Sequence, residues 1–432
     1  MIKRFFIGLT KPRLSYQAIE QTPPVPEKMP VPKHATLLLN GLYDPFGQKK
    51  SALLKKGDPV KTGQKLYLYE DSDAYVVSSV TGIISSISSF VADFGKSYTA
   101  ISIDVTEDEE IDKKFSTLVK EPSIDTLRNY LAFIPGNLPA VLFPPAGIST
   151  PIETIVISGV DRDLFITTNQ QTVVEDAQFI KVGVKILKQI TGIDNIIMAS
   201  PENIMQNAGL SGAEVRIVSP EYPSSLPNLI MRDALGRVVP AGKNCEDLGV
   251  VFISAEAVAS IGKAFSKGRI PVHKRFNLIK KDGSSTLVSA RIGTPVGEIF
   301  AAFDIDVNEK DRIIFGGPMT GTSIYSEKHP IQPDTDAIMI QDHKDLALVS
   351  DYPCINCGEC IPVCPAKIQV NMLVRFLEIG NYQEAADAYD LYSCIECGLC
   401  SFVCVSRMPI LQYIKLAKYE LGRISTVEEA NV

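Results

Sequence analysis

Short apolar segments alternate with longer amphipathic ones in the middle of the chain. Four runs have the length and the β-branched content of buried strands: 155–159, 195–199, 214–218 and 249–253. Residues 173–191, and a further segment that ends at Phe265, place apolar side chains at helical spacing. Because strands that alternate with helices form parallel or mixed sheets, the pattern predicts an α/β unit over residues 121–270.

Strand patterns dominate on both sides of this unit. Before it, turn residues around Gly57 and Gly63 separate short β segments, which predicts a β unit over 35–120. After it, further β segments predict a second β unit, of the size of a β-grasp, over 271–345. Residues 1–34 hold closely spaced prolines, which disfavour helix, so we expect an extended segment there.

Helical spacing returns in the last part of the chain, residues 346–432, which we expect to be an all-α unit. Apolar residues recur three and four positions apart in three segments: 368–380, 381–390 and 409–420. The whole pattern therefore predicts a multidomain α+β and α/β chain.

Eight of the nine cysteines lie in the helical unit and form two runs of identical spacing, C-x2-C-x2-C-x3-C. This is the bacterial ferredoxin pattern for a [4Fe–4S] cluster. Gly358 and Gly398 stand where a side chain would crowd the turn between ligands. The runs are Cys354, Cys357, Cys360 and Cys364, and then Cys394, Cys397, Cys400 and Cys404.

The fourth cysteine of each run is expected to serve the other cluster, as it does in two-cluster ferredoxins. One cluster would then be held by Cys354, Cys357, Cys360 and Cys404, and the second by Cys394, Cys397, Cys400 and Cys364. We also expect each fourth cysteine to begin the next helix. Zinc is the alternative metal, but zinc sites use C-x2-C pairs separated by a longer loop. Cys245 stands alone and is expected to be an inert thiol.

The overall composition argues against two classes of protein. The chain has 432 residues, with 43 Lys and Arg against 50 Asp and Glu and a formal net charge of −7. A nucleic-acid binder needs a basic face to neutralise phosphates, so no nucleic-acid partner is expected. No apolar run approaches the roughly 18 residues of a spanning helix, and Lys11 cuts short the apolar start, so we expect neither a spanning helix nor a signal peptide.

Motifs outside the cysteine runs carry a resemblance to a known family. They include the string L-K-K-G-D-P-V-K-T-G-Q from Leu54 to Gln64 and glycine-bearing stretches at 233–242, 291–296 and 316–321. With both cysteine runs, the chain resembles the RnfC family over nearly its whole length. This family is the cluster-bearing cytoplasmic subunit of Rnf ion-translocating oxidoreductase complexes.

The resemblance implies a fold for each unit. Over 35–120 it implies a barrel-sandwich hybrid, although the hairpin tip at 71–75 lacks the lysine that carries biotin or lipoate. Over 121–270 it implies an α/β domain like the NADH- and FMN-binding domain of flavin subunits. It implies an SLBB-like β-grasp domain over 271–345 and a ferredoxin-like domain with two clusters over 346–432.

The flavin loop implied by the family is degenerate. The family carries a loop close to G-x-G-G-A-G-F-P-T, whose glycines let the backbone approach the FMN phosphate. Leu138 and Pro139 replace glycines here, and each hinders that approach. The residues that remain of the pattern are Gly136, Ala140, Phe143 and Pro144.

A second flavin motif is also altered. The family's N-G-A-E-C-E-P-Y-I-T corresponds to residues 158–167, where Asp161 and Asp163 replace longer glutamates and the proline is lost. The flavin-site residues that would remain are Gly136, Phe143, Asp161 and Asp163. We therefore expect FMN to be absent and NADH not to bind.

The main hypothesis is an electron-transfer subunit of an Rnf-like membrane complex. Two [4Fe–4S] clusters would relay electrons between a soluble donor, such as ferredoxin or an NADH-oxidising partner, and membrane subunits. The protein would lie on the cytoplasmic face of the cell membrane, held by other subunits of the complex. Two alternatives stay open: an FMN-dependent NADH:acceptor oxidoreductase, and a soluble reductase adaptor similar to the cobalamin-reductase relatives of the family.

Two four-iron clusters predict about eight irons per chain. The measurement is iron, sulfide and zinc analysis of anaerobically purified protein. Four irons, or stoichiometric zinc, would contradict the assignment.

Overall fold

The computed structural model describes residues 12–19, 25–40, 52–70, 74–91, 96–143, 151–346, 349 and 352–430, with side chains to residue 424. The expectations at Pro144 and at hairpin residues 71–73 lie outside these ranges. In the described part of the chain, no helix has the length and apolar character needed to cross a bilayer.

The strands, in chain order, are β1 (Glu27–Lys28), β2 (His34–Asn40), β3 (Pro59–Val60), β4 (Lys65–Leu66), β5 (Val76–Val77), β6 (Gly82–Val91), β7 (Ser97–Val105), β8 (Thr154–Ser158), β9 (Asn195–Ser200), β10 (Glu214–Ile217), β11 (Val250–Ser254), β12 (His273–Ile279), β13 (Ser285–Arg291), β14 (Arg312–Phe315), β15 (Thr322–Ile324) and β16 (Ala337–Gln341).

The α-helices, in chain order, are α1 (Lys114–Leu118), α2 (Ile124–Thr126), α3 (Thr168–Glu175), α4 (Ala177–Thr191), α5 (Met205–Gly209), α6 (Pro227–Asp233), α7 (Ala255–Lys267), α8 (Val296–Ala302), α9 (Cys360–Val363), α10 (Val370–Glu378), α11 (Tyr382–Ala388), α12 (Leu399–Val403) and α13 (Ile410–Ala430). A π-helical turn, Leu127–Leu131, continues α2. Short 3-10 turns cover Ala140–Leu142, Glu202–Ile204, Glu246–Leu248 and Leu391–Ser393.

Two separate β units flank the α/β unit in the sequence. In the first, an antiparallel sheet has the order β2-β7-β6-β3, and β4 pairs with β5. In the second, a six-stranded mixed sheet has the order β1-β13-β12-β16-β14-β15. Glu27–Lys28 of the N-terminal segment form an edge strand of this sheet, β1, parallel to β13.

The predicted α/β unit contains a sheet of four parallel strands in the order β10-β9-β8-β11. All five residues of the central strand β8 are buried, as the apolar run predicts. Helices α4 and α7 pack together so closely that their backbones touch. A Cβ atom at Gly183 would overlap the carbonyl oxygen of Val258, and one at Gly262 would overlap that of Phe179.

The helix predicted over 173–191 is in fact two helices, α3 and α4, separated at Asp176. The apolar spacing continues through this point, so the sequence pattern does not mark the break. The buried Asp176 carboxylate lies 2.6 Å from Nζ of Lys263 and 2.9 Å from the guanidinium of Arg275. These two charged partners hold Asp176 in a non-helical conformation.

The C-terminal unit is helical, as predicted, and cysteines of both runs belong to its apolar core or pack against it. Leu373 and Leu377 of α10 pack with Ile414 and Ala417 of α13. Cys360 and Cys400 belong to the same buried cluster. The helices therefore form a single core around the cysteines.

We predict that Gly262→Ala destabilises the fold by about 3 kcal/mol, because its methyl group would separate α4 from α7. The urea-unfolding midpoint, followed by circular dichroism, measures this loss. Gly209→Ala in α5 is the matched control, since a Cβ there meets no atom within 4 Å. A Gly262→Ala protein as stable as the control would contradict the close packing of the two helices.

Candidate iron–sulfur centre

The two cysteine runs adopt the same backbone conformation 40 residues apart. Asn356 and Glu396 both have φ of 57°, in the left-handed region. Gly358 and Gly398 follow with φ of 78° and 75°. This succession of left-handed residues turns the chain tightly enough for three cysteines of one run to face the same point.

The expectation that the fourth cysteines begin the next helices is wrong. Cys364 and Cys404 instead end the short helices α9 and α12, at extended C-cap positions. The following helices, α10 and α13, start only at Val370 and Ile410. The short helix before each fourth cysteine carries its thiol away from its own run.

The structure gathers the eight thiols around two small cavities, and each cavity mixes the two runs. The first is lined by Cys354, Cys357, Cys360 and Cys404. The second is lined by Cys394, Cys397, Cys400 and Cys364. These are the two sets that the sequence analysis groups together. Four thiols around one point are the donor set of a [4Fe–4S] cluster, so the residues present fit that group.

The surroundings of the cysteines match the charge of such a group. The backbone N–H of Glu396 donates to Sγ of Cys394, and that of Met408 to Sγ of Cys404, both at 3.4 Å. Burial raises the pKa of Cys360 to about 12 and that of Cys397 to about 12. Because these thiols are neutral at pH 7 without metal, binding of iron must release their protons.

The second run is buried against the α/β unit and a loop of the second β unit. The hydroxyl of Tyr222 donates to the carbonyl oxygen of Cys397 at 2.5 Å. A Cβ at Gly398 would lie only 2.5 Å from the carbonyl oxygen of Met319. Lys418 donates to the carbonyl oxygen of Cys394 at 2.7 Å. These contacts fix the second run against the rest of the protein.

The first run reaches the surface at its second cysteine. Cys357 is exposed, whereas Cys397 at the matching position is 7% exposed. Apolar side chains around the first set are also open to solvent: Tyr352 is 78% exposed, Ile355 61% and Val405 54%. The two cysteine sets therefore differ in their surroundings, although their loops have the same conformation.

The loop that the sequence analysis expects to be a degenerate flavin loop donates its N–H groups to carbonyl oxygens of the protein. The N–H of Gly136 donates to the carbonyl oxygen of Pro333 at 2.7 Å. The N–H groups of Asn137 and Leu138 donate to carbonyl oxygens of residues 134 and 132. A phosphate cradle needs several such groups free to point at the anion. Phe143 packs on the core of the α/β unit.

Asp161 and Asp163 are both buried, and both carboxylates are taken up by the protein. Asp161 accepts from the N–H of Asn169 at 2.8 Å, near the start of α3, and burial raises its pKa to about 6. Asp163 accepts from the N–H and the hydroxyl of Thr320, both at 2.7 Å, and from the N–H of Met319. Asp163 thereby holds the loop that touches Gly398.

A cavity of about 500 Å³ lies beside these residues. Its lining includes Asn137, Arg162 and Asp163 from the α/β unit and Lys96 from the first β unit. The Oδ1 atom of Asn137 is buried without a hydrogen-bond partner among the described residues. Asn137 and Asp163 in this lining belong to the two stretches that the sequence analysis compares with flavin motifs.

Three residues that contact the second run are not identified by the sequence analysis: Tyr222, Met319 and Lys418. Tyr222 and Met319 come from distant parts of the chain, and Lys418 comes from the later helix α13. Nothing in the local pattern identifies them. The stretch 316–321 is singled out only as a family motif, with no contact assigned to it. Cys245, in contrast, is buried in the α/β unit with its pKa raised to about 11 by burial, as expected of an inert thiol.

Comparison with known proteins identifies the cysteine-bearing part first. Residues 353–408 match the family model described as a 4Fe-4S dicluster domain. The protein therefore has an iron–sulfur domain in its C-terminal part.

Curated relatives match most of the chain. The C subunit of the ion-translocating oxidoreductase complex of Pectobacterium carotovorum subsp. carotovorum is 28% identical over 96% of this chain. The C subunit of the proton-translocating ferredoxin:NAD(+) oxidoreductase complex of Clostridium ljungdahlii is 28% identical over 92% of it. The chain is a divergent homologue of these C subunits. The resemblance to the RnfC family is thus confirmed.

The C subunits differ in length from this chain. The chain spans 57% of the Pectobacterium protein and 89% of the Clostridium protein. A solved NAD+-reducing [NiFe]-hydrogenase, in its H2-reduced state, is also similar, with 11% identity and a TM-score of 0.43 over 71% of this chain and 63% of that one. A likeness this distant carries no argument about function.

We predict that Gly398→Ala destabilises the protein by about 2 kcal/mol more than Gly358→Ala. Both substitutions place alanine in the left-handed region, but only the one at Gly398 pushes against Met319; a Cβ at Gly358 meets no atom within 4 Å. Thermal unfolding of the two loaded variants, side by side, measures the difference. Equal losses would show that the contact with Met319 does not hold the second run.

Proposed function

We propose that this chain is the electron-transfer subunit of an Rnf-type ion-translocating oxidoreductase complex, with two [4Fe–4S] clusters. The observation that carries the proposal is the gathering of eight thiols into two mixed sets of four, in the part of the chain that matches a dicluster domain. Such clusters, once bound, take up and release single electrons. Cys354, Cys357, Cys360 and Cys404 hold one, and Cys394, Cys397, Cys400 and Cys364 hold the other.

The two sets have different surroundings, which supports a relay of electrons from one cluster to the other. We call the set of Cys394, Cys397, Cys400 and Cys364 the inner set. The outer set is that of Cys354, Cys357, Cys360 and Cys404. Tyr222 and Met319 pack with Cys397 of the inner set, and Leu411 and Ile414 of α13 line its cavity. The outer set reaches the surface at Cys357, near the exposed Ile355 and Val405, where another protein can approach. The two sets share one core, and the thiol of Cys400 lies close enough to Cys360 to interact electrostatically.

The rest of the chain is proposed to be a scaffold for docking. The first β unit, over 35–120, is a barrel-sandwich hybrid without a carrier lysine, and the second, over 271–345, is SLBB-like. The α/β unit over 121–270 is a degenerate flavin domain. The role of this unit is to bury the inner cysteine set, which the hydrogen bond from Tyr222 to Cys397 supports.

The proposed partners are the other subunits of the complex and a soluble electron carrier. The Clostridium relative is named for ferredoxin and NAD(+), and the names of both relatives place them in complexes. By analogy, this chain sits on the cytoplasmic face of the membrane, held by partner subunits. Its own flavin loop supports the absence of FMN, because N–H groups of Gly136, Asn137 and Leu138 already have acceptors.

A second candidate function is a flavin-bearing NADH:acceptor oxidoreductase. It is favoured by the 500 Å³ cavity beside Asn137, which is large enough for a mononucleotide and has a buried oxygen without a partner in the described structure. A flavin-binding experiment therefore separates the two candidate functions.

We expect Cys404→Ser to damage the cluster of Cys354, Cys357 and Cys360, since Cys404 lines their cavity. Its paramagnetic resonance spectrum should match that of Cys357→Ser and differ from that of Cys397→Ser. Cys245→Ser is the control and should keep the full iron content. A Cys404→Ser spectrum that matches Cys397→Ser would show that each run binds its own cluster.

We expect the protein to bind neither FMN nor NADH, because its loop offers no phosphate cradle. Fluorescence titration with FMN tests the first point, and NADH oxidation with an artificial electron acceptor tests the second. One-to-one flavin binding with NADH-dependent reduction would overturn this expectation and favour the second candidate.

A further inference from the structure

A second large cavity, of about 560 Å³, is separate from every site used above. Four parts of the chain form it, and the N-terminal segment contributes Lys28 and Met29. Thr62 and Glu109 come from the first β unit, Lys263 from α7, and Arg291 from the end of β13. It contains none of the cysteines and none of the residues of the flavin loop.

The cavity is basic, although the whole chain has a net charge of −7. Six Lys and Arg side chains line it against four carboxylates. The carboxylates of Asp176 and Glu109 are held by ion pairs with Lys263, Arg275 and Arg291. The basic residues are Lys28, Lys263, Lys267, Arg269, Arg275 and Arg291.

Cations without a carboxylate partner remain at the mouth of the cavity. Lys28, Lys267 and Arg269 form no ion pair with any described residue, and all three are exposed. No described carboxylate competes with an anion for these three side chains, although the ammonium of Lys267 lies over the Phe179 ring, 5.1 Å from its centre.

One of the lining residues also has a buried donor without a partner. Arg291 is only 7% exposed, and its guanidinium donates to Glu109 at 2.7 Å and to the carbonyl oxygen of Ser79 at 2.6 Å. Its Nε atom is buried with no acceptor among the described residues. A buried N–H of a charged group without an acceptor is costly, so a ligand oxygen at this point would be stabilising.

The remaining wall is apolar. Ile270 and Val272 line it, and both are buried. Met29 and Ile111 also belong to the lining. A purely inorganic anion would leave this surface without a partner, whereas a phosphate ester with an attached ring would cover it.

We infer that this cavity binds a phosphate monoester of about mononucleotide size. The phosphate lies among Lys267, Arg269 and Arg291, and the organic part lies against Ile270 and Val272. The inference does not depend on the electron-transfer proposal, because it uses no cysteine and no residue of the flavin loop.

Calorimetric titration of the cluster-loaded full chain at low ionic strength is the test, with AMP as the probe. AMP should bind at one site, inorganic phosphate about tenfold more weakly, and adenosine without measurable affinity. Saturable binding of adenosine as tight as that of AMP, or no binding of AMP, would overturn the inference.

Variants locate the site. Lys267→Ala combined with Arg269→Ala should weaken AMP binding about tenfold, as expected for the loss of charge-assisted contacts, without disturbing the fold because both side chains are exposed. Lys310→Ala, an exposed lysine outside the cavity, is the matched control and should bind as the parent does. Loss of AMP binding in Arg162→Ala, with the double variant unaffected, would place the ligand in the other cavity and overturn the inference.

Discussion

The backbone contact between Gly398 and Met319 is the constraint on which the arrangement of the cysteines depends. It is possible only because residue 398 has no side chain and has φ of 75°. Met319 in turn is held by the buried carboxylate of Asp163, which accepts from the N–H groups of Met319 and Thr320. A residue of the α/β unit therefore positions a loop of the second β unit, and that loop positions the inner cysteines.

This constraint also explains why two loops of the same conformation have different properties. The first loop has the same left-handed turn at Gly358, but a Cβ there would meet nothing within 4 Å. Its second cysteine, Cys357, stays exposed, whereas Cys397 at the matching position of the second loop is only 7% exposed; the third cysteines, Cys360 and Cys400, are equally buried at 8%. Solvent exposure and N–H···S bonds are among the factors that set cluster potentials. Tertiary packing, more than loop sequence, therefore distinguishes the two sets.

Much of this arrangement was predictable from the sequence. The ligand spacing identifies the cluster domain, and the parallel strands β8, β9 and β11 follow from apolar runs that only a buried strand explains. The break at Asp176 was not predictable, because it depends on Lys263 and Arg275, which are distant in the sequence. Cys364 and Cys404 were predicted to begin the next helices, whereas they end α9 and α12. Helices as short as these have too few residues to show a helical repeat of apolar side chains. The hydrogen bonds by which Asp163 holds the 316–321 loop were not predictable either, because Thr320 is far from Asp163 in the sequence.

The central claim is that two four-thiol sets, drawn from both runs, hold two clusters side by side in one core. Paramagnetic resonance during a stepwise reductive titration of the loaded protein tests it most directly. We expect an unbroadened signal of one spin per chain at partial reduction, which becomes a broadened signal of two interacting spins at full reduction. A signal that stays at one spin, or that doubles without any change in shape, would contradict the claim.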